Sequence, residues 1–233
     1  MIARLAAAVL LAVLALAPVP SGVAPLAVAP FTSAAHAADV AGRFDHWLFV
    51  LSWSPSYCEA EGDGGSREQC ASGRPYGFIV HGLWPQYARG WPDFCAHPER
   101  RLDPALVDEV LPLMPSRGLI LHQWEKHGTC SGLSPEEYFD LAREVRRLIR
   151  VPGDLQTLYV DSMVSPAVIE RMFRGVNPGM PANAISVTCD RRRLREVRIC
   201  LDRDLGYRAC PAMESRACKA DWIRMPPVRP VPR

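Results

Sequence analysis

Two short segments hold more reactive side chains than a packed core would accept. His122-Gln123-Trp124-Glu125-Lys126-His127-Gly128-Thr129-Cys130 sets two imidazoles, an ammonium and an amide within six residues and ends in a cysteine. Buried charges must be paired and satisfied at a cost, so such a load points to an open site. Phe78-Ile79-Val80-His81-Gly82-Leu83-Trp84-Pro85 drives a third histidine out of an apolar run. Histidine titrates near working pH, so one imidazole can take a proton while another gives one. Lys126 can stand beside an anion as a point charge. A base, an acid and a cation together suit cleavage of a phosphodiester. If the ester is RNA, its own 2′-OH is the nucleophile, which separates RNA from DNA and requires no Ser, Cys or metal. On a helix, Gln123 and His127 lie four apart on one face, and His122 and Lys126 share the adjacent one. A cleft approached by both faces holds one phosphate against all four.

Plainer readings compete at each position. His122 and His127 are five apart, about 140° around a helix rather than on one face, so a helical metal pair is disfavoured. A three-histidine zinc site through His81 is the weaker alternative. A histidine at a strand end, as His81 is expected to be, is by itself usually only a polar edge residue. Trp84 and Trp124 are candidates to contact a base, along with Gln86, but buried tryptophans are commonly core. His46 and His97 read as structural or exposed, and Glu125 as pointing away from the site. Arg143, Arg146, Arg147 and Arg150 read as a solvated helix face rather than an RNA track. Arg191-Arg192-Arg193 reads as a turn, with a secondary phosphate contact as the alternative.

The elements that must position these groups can be read in outline. From His46 to Ser54, Trp47, Phe49, Leu51 and Trp53 alternate with smaller or more polar residues, as in a strand. A Gly-rich charged loop is expected over 59–73, then a more buried strand from Tyr76 to Leu83, with His81 near its end. Four prolines across 85–104 predict a long loop, a length that usually serves function. Asp103-Pro104 opens a short helix to about Leu111. Leu119 to His127 suits a helix stopped by Gly128. Ser134, Pro135 and Glu137 give the start of a capped helix to Arg150, with Tyr138, Leu141, Val145, Leu148 and Ile149 inward. Ser165-Pro166 starts another, with Ile169, Met172 and Phe173 inward and Gly175 at its end. Residues 184–188, 194–201 and 206–210 read as strands. Without regular βαβ alternation, the class is α+β.

The chain has 233 residues, and the first 37 resemble a long secretory leader. Arg4 is the only charge before Asp39, and Ala35-His36-Ala37 offers a small-x-small cleavage site. A membrane anchor is the alternative, opposed by Pro18, Pro20, Pro25 and Pro30. Cleavage there would leave residues 38–233, enough for one domain over 38–225 and a proline-rich tail over 226–233. The 27 Lys and Arg face 25 Asp and Glu, so any hold on nucleic acid must be local rather than a global field. All eight cysteines lie beyond the leader. An even count in that setting predicts four disulfides in an oxidising compartment, secreted or periplasmic, with the pairing open. No Cys-x-x-Cys pair occurs, which weakens zinc and thioredoxin-like readings.

With these residues in hand, His81-Gly82-Leu83-Trp84-Pro85 and His122-Gln123-Trp124-Glu125-Lys126-His127-Gly128 resemble the two active-site segments of the ribonuclease T2 family. Ser54-Pro55-Ser56-Tyr57-Cys58 and Glu196-Val197-Arg198-Ile199-Cys200 resemble further landmarks, so the likeness runs from about Trp47 to Cys218. It implies an α+β fold, an antiparallel sheet core with helices packed on it. It also implies a secreted, periplasmic or vacuolar, metal-independent endoribonuclease of low base specificity that acts on single-stranded RNA as a monomer, without cofactor or membrane. By motif position, His127 resembles the base that takes the 2′-OH proton and His81 the acid for the departing 5′-oxygen. Their roles reverse when water opens the 2′,3′-cyclic phosphate. His122 resembles the phosphate-holding histidine, Lys126 the cation on the pentacovalent state, and Trp84 the wall of the first base site. The implied disulfides are Cys58–Cys70, Cys95–Cys130, Cys189–Cys218 and Cys200–Cys210. Two positions depart from the pattern. Gln123 stands where Glu is usual; an amide donates to phosphate but cannot relay a proton, which predicts reduced or pH-shifted activity. Gln86 stands where some members have an acid, leaving base preference open. The competing expectation is a non-catalytic RNA-binding or cytotoxic relative on the same scaffold.

Overall fold

Strand β1 (His46–Trp53) is buried on both faces, because Trp47, Phe49, Leu51 and Trp53 enter one apolar cluster while Leu48 and Val50 enter another. It is also interior to the sheet, since β1 pairs antiparallel with a neighbour on each edge. The structure, a computed structural model, describes residues 39–190 and 192–228; the expected leader, Arg191 and residues 229–233 lie outside the described residues.

After β1 the chain forms α1 (Ser54–Glu61) and α2 (Arg67–Cys70), stapled by Cys58–Cys70. This corrects the loop expected over 59–73. Pro55 sits in the first turn of α1, where its missing N–H costs nothing, and Ser66 caps α2 through the Gln69 amide. Strand β2 (Phe78–Gln86) follows and runs past His81, so His81 lies within a strand rather than at its end. Pro85 is tolerated because β2 is an edge strand. The long loop is present. Beyond it come α3 (Pro104–Val110), α4 (Arg117–Lys126) and α5 (Pro135–Leu148). Helix α4 starts before the expected Leu119, because the Ser116 hydroxyl accepts from the Leu119 amide. Helix α5 carries the expected capping box, but Leu148 is 52% exposed, and Phe139 and Ala142 fill the core instead.

The short helix α6 (Gly153–Gln156) leads to β3 (Ser162–Val164) and to α7 (Pro166–Val176), which passes through Gly175 and ends at Asn177. Strands β4 (Ile185–Cys189) and β5 (Leu194–Leu201) complete an antiparallel sheet of order β2-β1-β5-β4. The third expected strand, 206–210, is reduced to a single bridge between Tyr207 and Leu201. Strand β6 (Ile223–Met225), absent from the sequence reading, pairs with β3. It carries the start of the expected tail inward: the Pro226 carbonyl accepts from Trp53 Nε1 at 3.0 Å, and Val228 is buried. One face of the main sheet packs against Trp124, Tyr138, Phe139 and Phe173 from the helices. All four disulfides pair as the resemblance implied. Among the described residues no helix is long and apolar enough to cross a membrane.

Candidate active site

The second face of the sheet carries the site. His46 and Leu48 of β1, Trp84 and Gln86 of β2, and Arg198 and Cys200 of β5 all open onto one cleft of about 520 Å³. His81 and Trp84 are three residues apart, and a regular strand would send them to opposite faces. A β-bulge removes the conflict. Val50 pairs with Gly82 and Leu51 with Val80, so His81 is the extra, unpaired residue. Val80 therefore faces the helical core while His81 and Trp84 both reach the cleft. Gly82 is required there, since a Cβ would lie 2.1 Å from Gln123 Oε1 and 2.2 Å from Trp84 Nε1.

Helix α4 brings the other segment. His122, Gln123, Lys126 and His127 line the same cleft as His81. The helix ends at His127, and Gly128 follows because a Cβ would meet the Trp124 ring at 2.3 Å. Cys130 is tied to Cys95 of the long loop, and the Phe94 amide donates to the Lys126 carbonyl at 2.9 Å, which anchors this helix end. The Trp84 indole N–H donates to Gln123 Oε1 at 2.6 Å. Indole can only donate, so the amide oxygen must face it and the NH2 group is what Gln123 has left for a ligand. Trp84 in turn stacks on His127, with ring centroids 4.8 Å apart and planes 18° from parallel.

The placement of the other candidates is mixed. Gln86 lines the cleft and donates to the Pro85 carbonyl at 2.8 Å. Trp124 does not reach it. It is fully buried, donates to the Glu99 carbonyl at 2.9 Å and packs on His97 and Tyr138, so it is core. The helix turns it away because its neighbour Gln123 already faces the cleft. Glu125 points outward and pairs with Arg100. Arg193 is engaged by Asp190 and Glu59.

Three further residues at the site were not among the sequence candidates. Glu196 Oε1 lies 2.7 Å from His81 Nδ1, while its other oxygen receives Arg198. Arg198 lines the cleft with its guanidinium over the Trp84 ring at 5.6 Å. Both lie in a segment quoted only as a landmark, and their spacing of two on a strand was the available signal. His46, expected to be structural or exposed, is buried at the cleft wall beside the Cys200–Cys210 disulfide. His46, Cys200 and Cys210 stand within ligating distance of one another, but those sulfurs are bonded to each other.

A second hollow of about 450 Å³ shares His81 and His122 with the first and adds Tyr57, Gln69, Ser116, Leu119 and Glu196. His81 and His122 thus border both recesses. Burial, then the charges of Lys126, His122 and His81, lower the His127 pKa to about 3. Burial, then Lys126 and His81, also lower that of His122, with Glu125 opposing. His127 is therefore a neutral imidazole at pH 7. Its Nδ1 is buried without a partner, which leaves Nε2 as the atom for chemistry. An anion entering the cleft would oppose the Coulombic part of both shifts. The arrangement offers one neutral base, a second imidazole held by a carboxylate, and cations from Lys126 and Arg198.

Comparison with known proteins agrees with this architecture. The model of the Ribonuclease T2 family matches residues 44–210. A ribonuclease of Aeromonas hydrophila is 41% identical over 181 residues, covering 75% of this chain and 79% of the relative. In fold, the chain is similar to the RNase-related protein from Calystegia sepium, at a TM-score of 0.64 and 19% identity over 80% of this chain and 99% of that one. It is also similar to RNase NT, solved in complex with 5′-AMP, at a TM-score of 0.56 and 24% identity over 79% and 99% of the two chains. With the family model spanning the bulged strand, the histidine-bearing helix and three of the four disulfides, the chain belongs to the ribonuclease T2 family of RNA-cleaving enzymes.

Proposed function

We propose that this ribonuclease cuts single-stranded RNA internally, without a metal, in two proton-coupled steps at this cleft. In the first, His127 Nε2 takes the 2′-OH proton as the 2′-oxygen attacks phosphorus. The bond from phosphorus to the 5′-oxygen breaks, and His81 Nε2 gives that oxygen its proton. A 2′,3′-cyclic phosphate results. In the second step His81 takes a proton from water as its oxygen attacks phosphorus. The bond to the 2′-oxygen breaks, and His127 returns the proton, leaving a 3′-phosphate. Lys126 and His122 hold the phosphoryl oxygens, and the Gln123 NH2 adds a donor.

The observation that carries this reading is that a neutral, buried imidazole and a carboxylate-held imidazole open onto one cleft with an ammonium beside them. Two recesses that both reach His81 and His122 support cleavage within a chain, since each has room for a nucleotide. Tyr87 and Trp91 along the larger recess, with Trp84 as its wall, support low base specificity, because every base has a π-face to stack. Four disulfides support residence in an oxidising compartment, secreted or periplasmic. We read the working form as a monomer.

The test is incubation with single-stranded RNA and with DNA, each with and without EDTA, across pH 4 to 8. RNA fragments ending in cyclic and then 3′-phosphate are expected, unaffected by chelator, with the DNA intact. RNA retarded on a gel but uncut would favour the non-catalytic relative.

A further inference from the structure

We propose that Glu196 is the positioning residue of His81: its carboxylate accepts the proton on Nδ1 and so leaves Nε2 free to exchange protons at the scissile phosphate. The inference rests on the reading of His81 as a proton-transfer group. Glu196 lies on β5, which does not pair with β2; β1 runs between them. The contact is therefore a side-chain bridge across a strand, and the bulge at His81 is what turns the imidazole toward it.

The carboxylate is held as a fixed acceptor. Its side chain is 12% exposed. One oxygen faces His81 at 2.7 Å, while the other receives Arg198 Nε at 2.9 Å, Arg198 Nη2 at 2.7 Å and, from β4, the Thr188 hydroxyl at 3.3 Å. Burial pushes the Glu196 pKa up, yet its bonds and charges with His81 and Arg198 outweigh that and hold it at about 2. It is therefore ionised across pH 4 to 8. A buried ionised carboxylate cannot donate, so the imidazole must present N–H on Nδ1. The opposite nitrogen is then the one that faces away from Glu196, the same division of labour by which a carboxylate orients a catalytic histidine elsewhere.

Charge makes the same point. The groups around His81 are Glu196 and Arg198 from β5 and His122, Lys126 and His127 from the end of α4. Glu196 is the one carboxylate in contact with the ring among the described residues. Without it, an imidazolium there would have the cations Arg198 and Lys126 nearby and no carboxylate to offset them. The alternative is that Glu196 serves only to pair with Arg198, and the two roles part in experiment.

Glu196→Gln keeps the shape and an acceptor but loses the charge. The expected result is a drop in kcat of about tenfold or more with KM little changed. The alkaline limb of the pH–rate profile should move down by about one pH unit, and Glu196→Asp should recover part of both losses. A lowered melting temperature with an unmoved pH limb would mean a structural pair and overturn the proposal. Should Glu196→Gln not fold, nitrogen NMR of the wild-type protein decides, with the His81 signals assigned by their loss in His81→Ala. Neutral His81 protonated on Nδ1 is expected; protonation on Nε2 overturns the proposal. If His81→Ala itself keeps full activity, the catalytic reading fails. If His81→Ala is inactive while Glu196→Gln keeps the wild-type pH profile, only the positioning role falls.

Discussion

At the scale of single residues, Gln123 does something an amide and a carboxylate would do differently. It accepts the Trp84 indole N–H, and Trp84 stacks on His127, so Gln123 sets the wall beside His127 before it touches any ligand. A carboxylate at 123 would still accept from the indole, but would bring a negative charge next to His127 and raise its affinity for a proton. Gln123→Glu is therefore expected to move the acid limb of kcat/KM upward in pH and to change the rate, measured on a dinucleotide from about pH 2.5 to pH 8. An unchanged rate and profile would show that position 123 only props Trp84. His81→Ala and His127→Ala are each expected to cost at least about 10²-fold in rate. Full activity in both would remove the two histidines from the mechanism. These imidazoles were legible in the sequence because histidine beside lysine has few structural uses. Glu196 was not, because a carboxylate alternating with arginine along a strand looks like any solvated sheet face.

At the scale of elements, the bulge in β2 and the end of α4 set the geometry between them. Gly82 is where they touch. Gly82→Ala would force Gln123 and Trp84 apart, an overpacking that typically costs about 1–3 kcal/mol. We expect a lowered melting temperature together with a loss of activity larger than the stability change explains, read from kinetics below the melting range. Wild-type kinetics in a folded Gly82→Ala variant would mean that Trp84 does not need its present position. The strand was readable from its apolar run, and glycine inside a strand does signal a bulge. Its consequence, the flip that puts His81 and Trp84 on one face, depends on pairing with β1, which the segment alone does not specify. Trp124 shows the reverse. It was a candidate contact by its place in the motif, but the side a helix turns inward is chosen by what packs on it, here His97 and Tyr138.

At the scale of the whole molecule, the site and the stability of the fold share titrating groups. Burial, with Arg208 second and Asp45 opposing, holds His46 at about pH 4, and His127 sits at about 3. Both lie below the value of about 6.5 expected in the unfolded chain. The unfolded state thus binds more protons between those values, so stability rises with pH in that window. The contribution is full above pH 6.5 and is lost as pH falls through 4 toward 3. Melting temperature measured from pH 7 to pH 4 should fall, and His46→Gln should flatten part of the fall; an identical slope in that variant would exclude His46. Disulfide reduction should inactivate the enzyme, because losing one such bond typically costs about 2 to 5 kcal/mol. Cys95–Cys130 is the most direct case, since it ties the long loop to the turn after His127.

By itself the sequence determined which chemistry is available and most of the elements that carry it. Residue types dictate proton affinities, caps and prolines dictate helix starts, and an apolar alternation dictates strands; all of these act over a few neighbours. The short strands β3 and β6, the inward turn of Pro226 and Val228, and the partnership of His81 with Glu196 join residues about 60 to 170 positions apart. Local pattern carries no information at that range. Only closing the sheet decided which imidazole met a carboxylate, which was buried neutral, and that all of them faced one cleft.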